Sequence, residues 1–266
     1  MKKIGIIGCG NMGTILVDSA VSLVDADDVF CFDVEAEKLK LISKKYKVKC
    51  LNSNKELVEN VDIIILAVKP QQFKEVLTEI KDVLKRDKVV VSIAAGIKIK
   101  YIEKFLPKGT QIIRCMPNLP LKVGCGVVAI CKNKKCSRKN YDFVKKIFLK
   151  KGIVVEIEEK YIDLITAISG SGPAYIFLIS EIMQRVALKL GMPKKIIPKV
   201  VNYTILGAAR MLTEENKTAE ELRIAVTSKG GTTEQALKVF FENNLNEIFY
   251  QAIKKAYTRA KELSKY

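Results

Sequence analysis

Residues 3–13 of the chain read KIGIIGCGNMG, an apolar run that ends in three glycines with the spacing Gly8-x-Gly10-x-x-Gly13. The next residues place apolar side chains at helical spacing. A strand, a glycine turn and a helix in this order are far more specific than the bare glycine motif. Such a turn lets the backbone approach a pyrophosphate group, and the helix start offers it free N–H groups. The segment therefore predicts a dinucleotide-binding turn, whereas its simplest alternative is a tight connection between strand and helix.

Short β-branched runs alternate with helical segments over the first 158 residues. Strands are predicted at 3–8, 29–33, 63–68, 89–94, 111–115, 127–131 and 154–157, and helices near 12–24, 35–46, 71–85, 98–105 and 138–150. A continuous apolar strand such as 63–68, IIILAV, is typical of a parallel sheet covered on both faces. This pattern predicts a doubly wound α/β domain of the Rossmann type at residues 1–158.

The second half of the chain, residues 159–266, has no further strand pattern. Helices are predicted near 160–168, 173–190, 193–213, 218–226, 232–242 and 245–264, with glycine or asparagine at most of the breaks. We therefore expect a second, all-helical domain.

Composition excludes several classes of protein. The chain has 266 residues, 48% hydrophobic and 28% charged, which is typical of a globular protein. It has no run of about 18 uncharged apolar residues, and its N-terminus enters a strand and not a cleavable signal. We expect a cytoplasmic protein that does not bind a membrane. The seven cysteines are scattered and never form Cys-x-x-Cys, so neither a disulfide framework nor a zinc site is expected.

The chain contains no histidine, which excludes Ser-His-Asp, Cys-His and histidine–metal mechanisms. No metal site is expected. The net charge of +17 raises the possibility of nucleic-acid binding. However, the lysines are spread over the whole chain and no aromatic residues lie among them. We therefore expect a solvated basic surface whose field attracts a small anionic substrate.

Asp33, Glu35 and Lys69 lie at or just after the ends of predicted strands, at the edge of the sheet where ligands bind. Asp33 ends the second strand, where a carboxylate either accepts hydrogen bonds from the ribose hydroxyls and repels a 2′-phosphate, or is an ordinary surface acid at a strand end. Glu35 adds a second negative charge, so NADH is favoured over NADPH, although NADPH stays possible. Lys69 is either a solvated charge at the end of a strand or a contact to the cofactor or to a carboxylate.

A second glycine-bearing helix start lies at residues 227–233, TSKGGTT. Its two glycines carry no side-chain bulk, and its hydroxyls add donors to the free N–H groups of the helix that follows. The segment predicts a site for an anion, and its simplest alternative is ordinary helix capping.

Taken in order, the motifs of both halves resemble those of the pyrroline-5-carboxylate reductase family. In the first half they are residues 7–13 (IGCGNMG), 66–71 (LAVKPQ), 92–97 (SIAAGI) and 114–118 (RCMPN). In the second half they are 167–175 (AISGSGPAY), 189–193 (KLGMP), 226–228 (VTS) and 230–233 (GGTT). Together they cover almost the whole chain, and this combination is highly specific.

The resemblance implies reduction of the cyclic imine 1-pyrroline-5-carboxylate to L-proline by hydride from a nicotinamide, the last step of proline biosynthesis. It also implies a homodimer or higher homo-oligomer whose active sites lie at the subunit interface. The cofactor contacts that it implies are Ile7, Gly8, Gly10, Asn11, Met12, Gly13, Asn54, Ala67, Val68, Lys69, Pro70, Ala94 and Ala95. Ser228, Gly231, Thr232 and Thr233 would hold the substrate.

The implied chemistry suits these residues. The substrate carries a carboxylate that the start of the helix and Ser228 can bind, and Thr233 can orient the ring nitrogen, so that no histidine is needed. Asn118 follows a strand and either faces the nicotinamide or substrate or serves only to form a turn.

Four positions depart from the usual pattern of the family. They are Lys229 in place of proline, Lys217-Thr218 in place of His-Pro, Ile224 in place of an acidic residue and Leu119 in place of threonine. They leave the ring size of the substrate open. The alternatives are a related imine or β-hydroxyacid reductase, and a non-catalytic paralogue that binds nucleotide. Lys229 either adds positive charge beside the carboxylate site or is an exposed lysine without a role.

Overall fold

A computed structural model describes residues 2–264. Its sheet has eight strands in the order β3-β2-β1-β4-β5-β6-β7-β8. The strands are β1 Ile4–Ile7, β2 Val29–Phe32, β3 Lys49–Cys50, β4 Ile63–Leu66, β5 Val89–Ser92, β6 Gln111–Pro117, β7 Gly126–Lys132 and β8 Gly152–Glu156. The helices around the sheet are α1 Asn11–Val21, α2 Ala36–Tyr46, α3 Asn54–Asn60, α4 Phe73–Ile80, α5 Ile99–Glu103 and α6 Arg138–Leu149. The predicted doubly wound α/β class is confirmed.

The central strands are buried on both faces because helices cover both sides of the sheet. Alternate residues of one strand enter different cores: Ile63 and Ile65 pack into one cluster, and Ile64 and Leu66 into the other. All four are fully buried. Two covered faces explain why these strands are continuously apolar instead of alternating.

The observed strands and helices differ from the sequence-based prediction in three respects. β7 runs antiparallel to β6, and β8 is parallel to β7. β3 has only two residues and α3 only seven, and neither was predicted, because a segment this short carries too little periodicity to be recognised. The predicted helix at 71–85 is shorter, since α4 ends at Ile80.

The residues divide into two compact units. The first holds residues up to Ser171 together with those from Ala256 onward, and the second is Gly172–Lys255. The second unit and the segment before it contain helices, as predicted: α7 Ile162–Ile165, a π-helical turn Thr166–Gly170, α8 Gly172–Lys189, α9 Ile197–Glu214, α10 Ala219–Ala225, α11 Thr232–Glu242 and α12 Leu245–Leu263. The domain boundary after residue 158 stays a prediction.

A buried ion cluster joins β6 to the end of the described chain within the first unit. Arg114 is only 1% exposed, and its guanidinium contacts Glu159 Oε1 at 3.0 Å and Asp163 Oδ1 at 3.3 Å. The buried Ser264 hydroxyl donates to the same Asp163 oxygen. Removing one partner of such a cluster leaves a buried charge uncompensated. The Ser264 bond links the residue that follows α12 to this cluster.

Candidate cofactor cleft and substrate-binding helix start

The glycine turn between β1 and α1 is fixed by close backbone packing. Gly8 has φ +95°, and a Cβ there would lie 2.8 Å from the Ala67 carbonyl. A Cβ on Gly13 would lie 1.9 Å from the Gly8 carbonyl oxygen. Gly10 is different, because a Cβ there would meet no atom within 4 Å. Two of the three glycines are therefore required by the fold, and the third leaves open space above the turn.

Some backbone N–H groups of the turn donate to other backbone groups, whereas others have no acceptor among the described residues. Gly8 N donates to Phe32 O at 2.8 Å, and Thr14 N donates to Gly10 O at 2.9 Å. The first three N–H groups of α1, those of Asn11, Met12 and Gly13, have no acceptor among residues 2–264. Free N–H groups at the positive end of a helix, with open space beside Gly10, suit a phosphate group.

A cleft of about 490 Å³ opens beside this turn. Eight of the predicted cofactor contacts line it, namely Ile7, Gly8, Gly10, Asp33, Asn54, Ala67, Val68 and Lys69. The remaining lining residues are Phe32, Val34, Glu35, Lys38, Asn52, Ser53, Gln72, Glu75, Val76 and Glu79. Its volume suits a small organic cofactor. The cleft, the free helix N–H groups and the open face of Gly10 together fit a dinucleotide.

Asp33 lies at the end of β2, and both of its carboxylate oxygens accept backbone N–H groups. Oδ2 accepts from Cys9 N at 2.6 Å, and Oδ1 accepts from Glu35 N at 2.9 Å. The side chain therefore links the glycine turn to the chain that leads into α2. The sequence predicts a ribose contact here but gives no sign of this bracing role.

Glu35 and Lys38 form an ion pair inside the cleft, with Nζ and Oε1 2.5 Å apart. The Lys38 pKa is raised by its hydrogen bond to Glu35 and by the negative charges of Asp33 and Glu35. Lys38 was missed in the sequence, although the i,i+3 spacing on a predicted helix is a signal that could have found the pair.

Asn54 is the first residue of α3 and is buried at the cleft wall. Its amide group donates to Glu79 Oε2 at 2.7 Å. Its buried Oδ1 has no hydrogen-bond partner among the described residues. An unpartnered buried acceptor is uncommon and is consistent with a donor that a ligand supplies.

The buried thiols of Cys31 in β2 and Cys115 in β6 have raised pKa values. Cys31 faces Cys50 across β2 and β3, and the hydrogen bond of Cys31 to Cys9, together with burial, raises the Cys31 pKa. Cys115 is fully buried in the sheet, and burial raises its pKa as well. A raised pKa keeps these groups protonated and unreactive, so they act as packing residues.

Six predicted cofactor contacts lie outside the cleft lining: Asn11, Met12, Gly13, Pro70, Ala94 and Ala95. Asn11, Met12 and Gly13 form the first turn of α1, and Pro70 begins a 3₁₀ turn after β4. Ala94 and Ala95 follow β5 and precede Gly96, which has φ +78°. A Cβ on Gly96 would lie 2.6 Å from Leu263 O, so the end of α12 packs on this turn.

The predicted substrate residues of the second unit surround the start of α11. Gly231 is the N-cap residue, and no side chain caps the helix. The N–H groups of Thr232, Thr233 and Glu234 have no acceptor in the described part of the chain. Ser228 is exposed, and its Oγ lies 2.3 Å from where a Gly231 Cβ would stand. Hydroxyl and N–H donors therefore converge at one helix start, as the sequence predicts for an anion site.

Asn118 belongs to the first unit, and hydrogen bonds engage both ends of its side-chain amide. Its Nδ2 donates to Ser169 Oγ at 3.0 Å and to Ser169 O at 3.2 Å, and its Oδ1 accepts from Val127 N at 2.9 Å. These bonds tie the strand ends to the turn that precedes α8. The structural role is thus visible, and the substrate contact stays a prediction.

Two family models match the chain. Residues 3–96 match the model described as NADP oxidoreductase, coenzyme F420-dependent, and residues 159–263 match the model described as pyrroline-5-carboxylate reductase dimerisation. The first match contains the glycine turn and the cleft, and the second contains α11.

Known proteins resemble the chain over its full length. A pyrroline-5-carboxylate reductase of Methanosarcina acetivorans is 35% identical, over 99% of this chain and 98% of its own. The Escherichia coli protein of the same name is 32% identical over 99% of each chain. A solved pyrroline-5-carboxylate reductase of Coxiella burnetii is 39% identical with a TM-score of 0.92, covering 100% of this chain and 99% of its own.

A solved pyrroline carboxylate reductase of Plasmodium falciparum, with NADP bound, is 30% identical with a TM-score of 0.90, covering 99% of this chain and 98% of its own. More distant structures share the fold alone, such as a prephenate dehydrogenase of Aquifex aeolicus at 16% identity and a TM-score of 0.55.

Proposed function

The chain belongs to the pyrroline-5-carboxylate reductase family, and from that premise we propose that it reduces 1-pyrroline-5-carboxylate to L-proline, the last step of proline biosynthesis. The observation that carries the proposal is identity of 30–35% to curated members over at least 98% of the chain. The start of α1, which would hold the cofactor, and the start of α11, which would hold the substrate, both lack a side-chain cap. The protein is an NAD(P)-dependent oxidoreductase.

The cofactor belongs in the cleft of the first unit. Bound there, a nicotinamide supplies the hydride. The first turn of α1 presents the N–H groups of Asn11, Met12 and Gly13 to the pyrophosphate, and Gly10 leaves it room. Ala67, Val68 and Lys69 line the cleft after β4. These residues bind and orient, and their contribution to the rate is positional.

We propose that NADH is preferred over NADPH. Asp33 and Glu35 place two carboxylates at the end of the cleft where such folds hold the adenosine ribose. They accept hydrogen bonds from ribose hydroxyls and repel a 2′-phosphate. A higher kcat/KM with NADPH than with NADH would contradict this preference.

The substrate belongs at the start of α11. The free N–H groups of Thr232 and Thr233 and the Ser228 hydroxyl bind its carboxylate, aided by the positive end of the helix. Thr233 orients the ring nitrogen, which carries a proton when the iminium accepts hydride, and hydrogen-bonds to the amine that forms. An iminium is already electrophilic, so neither a histidine nor a metal is required.

The second unit supports assembly into a homodimer or larger homo-oligomer. Its helices expose large apolar side chains, among them Phe177 (63%), Ile182 (50%) and Tyr203 (69%). One stretch of the described residues, Glu159–Lys189, is even long and apolar enough to span a membrane. The core helix of a soluble protein passes the same test, and a dimer interface covers such a surface equally well. We propose that each active site combines residues of two subunits, in a cytoplasmic enzyme without a nucleic-acid partner.

One assay tests the proposed function: oxidation of NADH with 1-pyrroline-5-carboxylate, run beside its six-membered and acyclic analogues. The five-membered ring should give the highest kcat/KM. A preference for another imine would identify a related reductase, the alternative raised by Lys229, Ile224 and Leu119. The absence of turnover with every substrate, in protein that still binds NADH, would indicate a nucleotide-binding paralogue.

A further inference from the structure

Residues 94–97 (AAGI), here called the 94–97 turn, connect β5 to α5 at the edge of the sheet that holds the cofactor. Strands β2, β1, β4 and β5 are neighbours in this order. The adenosine ribose belongs at the end of β2 and the pyrophosphate at the glycine turn after β1, so the nicotinamide half of a dinucleotide extends over the ends of β4 and β5. The 94–97 turn therefore lies on the nicotinamide side.

The 94–97 turn forms few hydrogen bonds. Ala94 N donates to Ser92 Oγ at 3.4 Å. The N–H groups of the other three residues have no acceptor among residues 2–264. A loop with so few bonds takes its position from the groups that pack against it.

The end of α12 packs directly against this turn. A Cβ on Gly96 would lie 2.6 Å from Leu263 O and 3.0 Å from Leu263 Cβ. Gly96 is buried, and both residues belong to the first compact unit. The turn is thus supported by a residue that is far away in the sequence.

The next residue, Ser264, links the end of α12 to the buried ion cluster. Ser264 is 2% exposed, and its Oγ donates to Asp163 Oδ1 at 2.8 Å. The same carboxylate oxygen contacts the Arg114 guanidinium, which also pairs with Glu159. Glu159 Oε1 in turn accepts from Ile99 N at 2.8 Å, at the start of α5. One cluster therefore contacts both the chain that follows the turn and the helix end that packs on it.

We propose that Ser264 is a positioning residue for the nicotinamide. Its bond to Asp163 anchors the end of α12, and Leu263 then keeps the 94–97 turn where Ala94 and Ala95 meet the nicotinamide ring. Loss of this support loosens the nicotinamide half of the cofactor, while the glycine turn still holds the pyrophosphate. The proposal rests on the proposed function only in taking a nicotinamide dinucleotide as the cofactor.

The test compares the binding of NADH and of ADP-ribose, which lacks the nicotinamide, to the substrate-free protein by isothermal titration calorimetry. Ser264→Ala should raise the Kd for NADH about three- to tenfold, the range that one hydrogen bond of ordinary net strength covers, and the Kd for ADP-ribose less than about twofold. A general loss of stability would not discriminate between these two ligands. Because no substrate is present, the result does not depend on which imine the enzyme reduces.

A second variant tests whether Ser264 acts through Asp163. Asp163→Ala removes the acceptor of the Ser264 bond, and Glu159 still compensates the charge of Arg114. It should reproduce the selective loss of NADH affinity, and Ser264→Ala added to it should cause no further loss. A further loss in the double variant would contradict this route.

Thr110→Val is the matched control for the loss of a buried hydroxyl. Thr110 is 4% exposed, and its Oγ1 donates to Pro107 O at 2.7 Å. It precedes β6, which is parallel to β5, so it lies at the end of these strands opposite to the 94–97 turn. It should change neither Kd by more than about twofold. An unchanged Kd for NADH with Ser264→Ala, an equal rise for ADP-ribose, or the same selective rise with Thr110→Val would overturn the proposal.

Discussion

The starts of α1 and α11 are both glycine-bearing and lack side-chain caps, yet they differ in what fixes their glycines. At α1, Gly8 and Gly13 are buried, and backbone atoms stand where their side chains would be. At α11, Gly230 has φ +72° but open space around it, and Gly231 is crowded only by Ser228. The first site is shaped by packing, and the second by local backbone conformation and a hydroxyl.

This difference separates two ways of holding an anion. The turn at α1 is braced from behind by Asp33 and is complete within one unit. The start of α11 is surrounded by exposed residues, including Ser228 and Lys229. An exposed helix start holds an anion weakly because water competes for the same donors. The second site therefore gains most from any element that covers it, as the proposed subunit interface would.

The largest effect is expected from Gly13→Ala. Its Cβ would lie 1.9 Å from the Gly8 carbonyl oxygen, which is backbone and cannot rotate away. We expect the free energy of unfolding to fall by about 3 kcal/mol and NADH binding to be lost. Urea unfolding and calorimetric titration measure the two. Native stability with native affinity would show that packing does not fix this turn.

Gly10→Ala should separate binding from folding at the same turn. No atom lies within 4 Å of a Cβ there, so the free energy of unfolding should change by less than about 1 kcal/mol. The methyl group would fill the space that the pyrophosphate needs, so the Kd for NADH should rise about tenfold or more. Calorimetric titration of the folded variant measures this, and unchanged affinity would place the pyrophosphate elsewhere.

Ser228→Ala and Thr233→Val should affect the other site and spare the cofactor. Loss of a hydrogen bond to a charged group costs about 1.5–3 kcal/mol, so kcat/KM for pyrroline-5-carboxylate should fall about 10- to 100-fold. The Kd for NADH should stay unchanged. Steady-state kinetics beside NADH titration measures both. Thr204→Val is the control, because that hydroxyl donates to Val200 O within its own helix. An equal loss with the control would assign the effect to helix stability.

The sequence predicted the glycine turn, the central strands and the start of α11 because each depends on residues close together in the chain. It missed β3 and the antiparallel direction of β7, since these depend on pairing between distant segments. It missed α3 because a seven-residue helix carries too little periodicity to be recognised. The burial of Arg114 and the two backbone bonds of Asp33 are likewise tertiary facts. Residue types indicated which groups could bind a cofactor, but not which of them the fold already uses.

The smallest effect is expected from Lys229→Ala at the exposed site. Lys229 is exposed and has no ion-pair partner in the described part of the chain, and Glu234 accepts from Gly230 N at 2.8 Å. If its ammonium group attracts the substrate carboxylate, the KM for pyrroline-5-carboxylate should rise about two- to threefold at low salt and much less at high salt, with kcat unchanged. Lys238→Ala is the matched control, because Lys238 is exposed on α11 beside Glu242. A KM that stays unchanged at low salt would show that Lys229 has no part in binding, and that the backbone and hydroxyls of α11 hold the carboxylate alone.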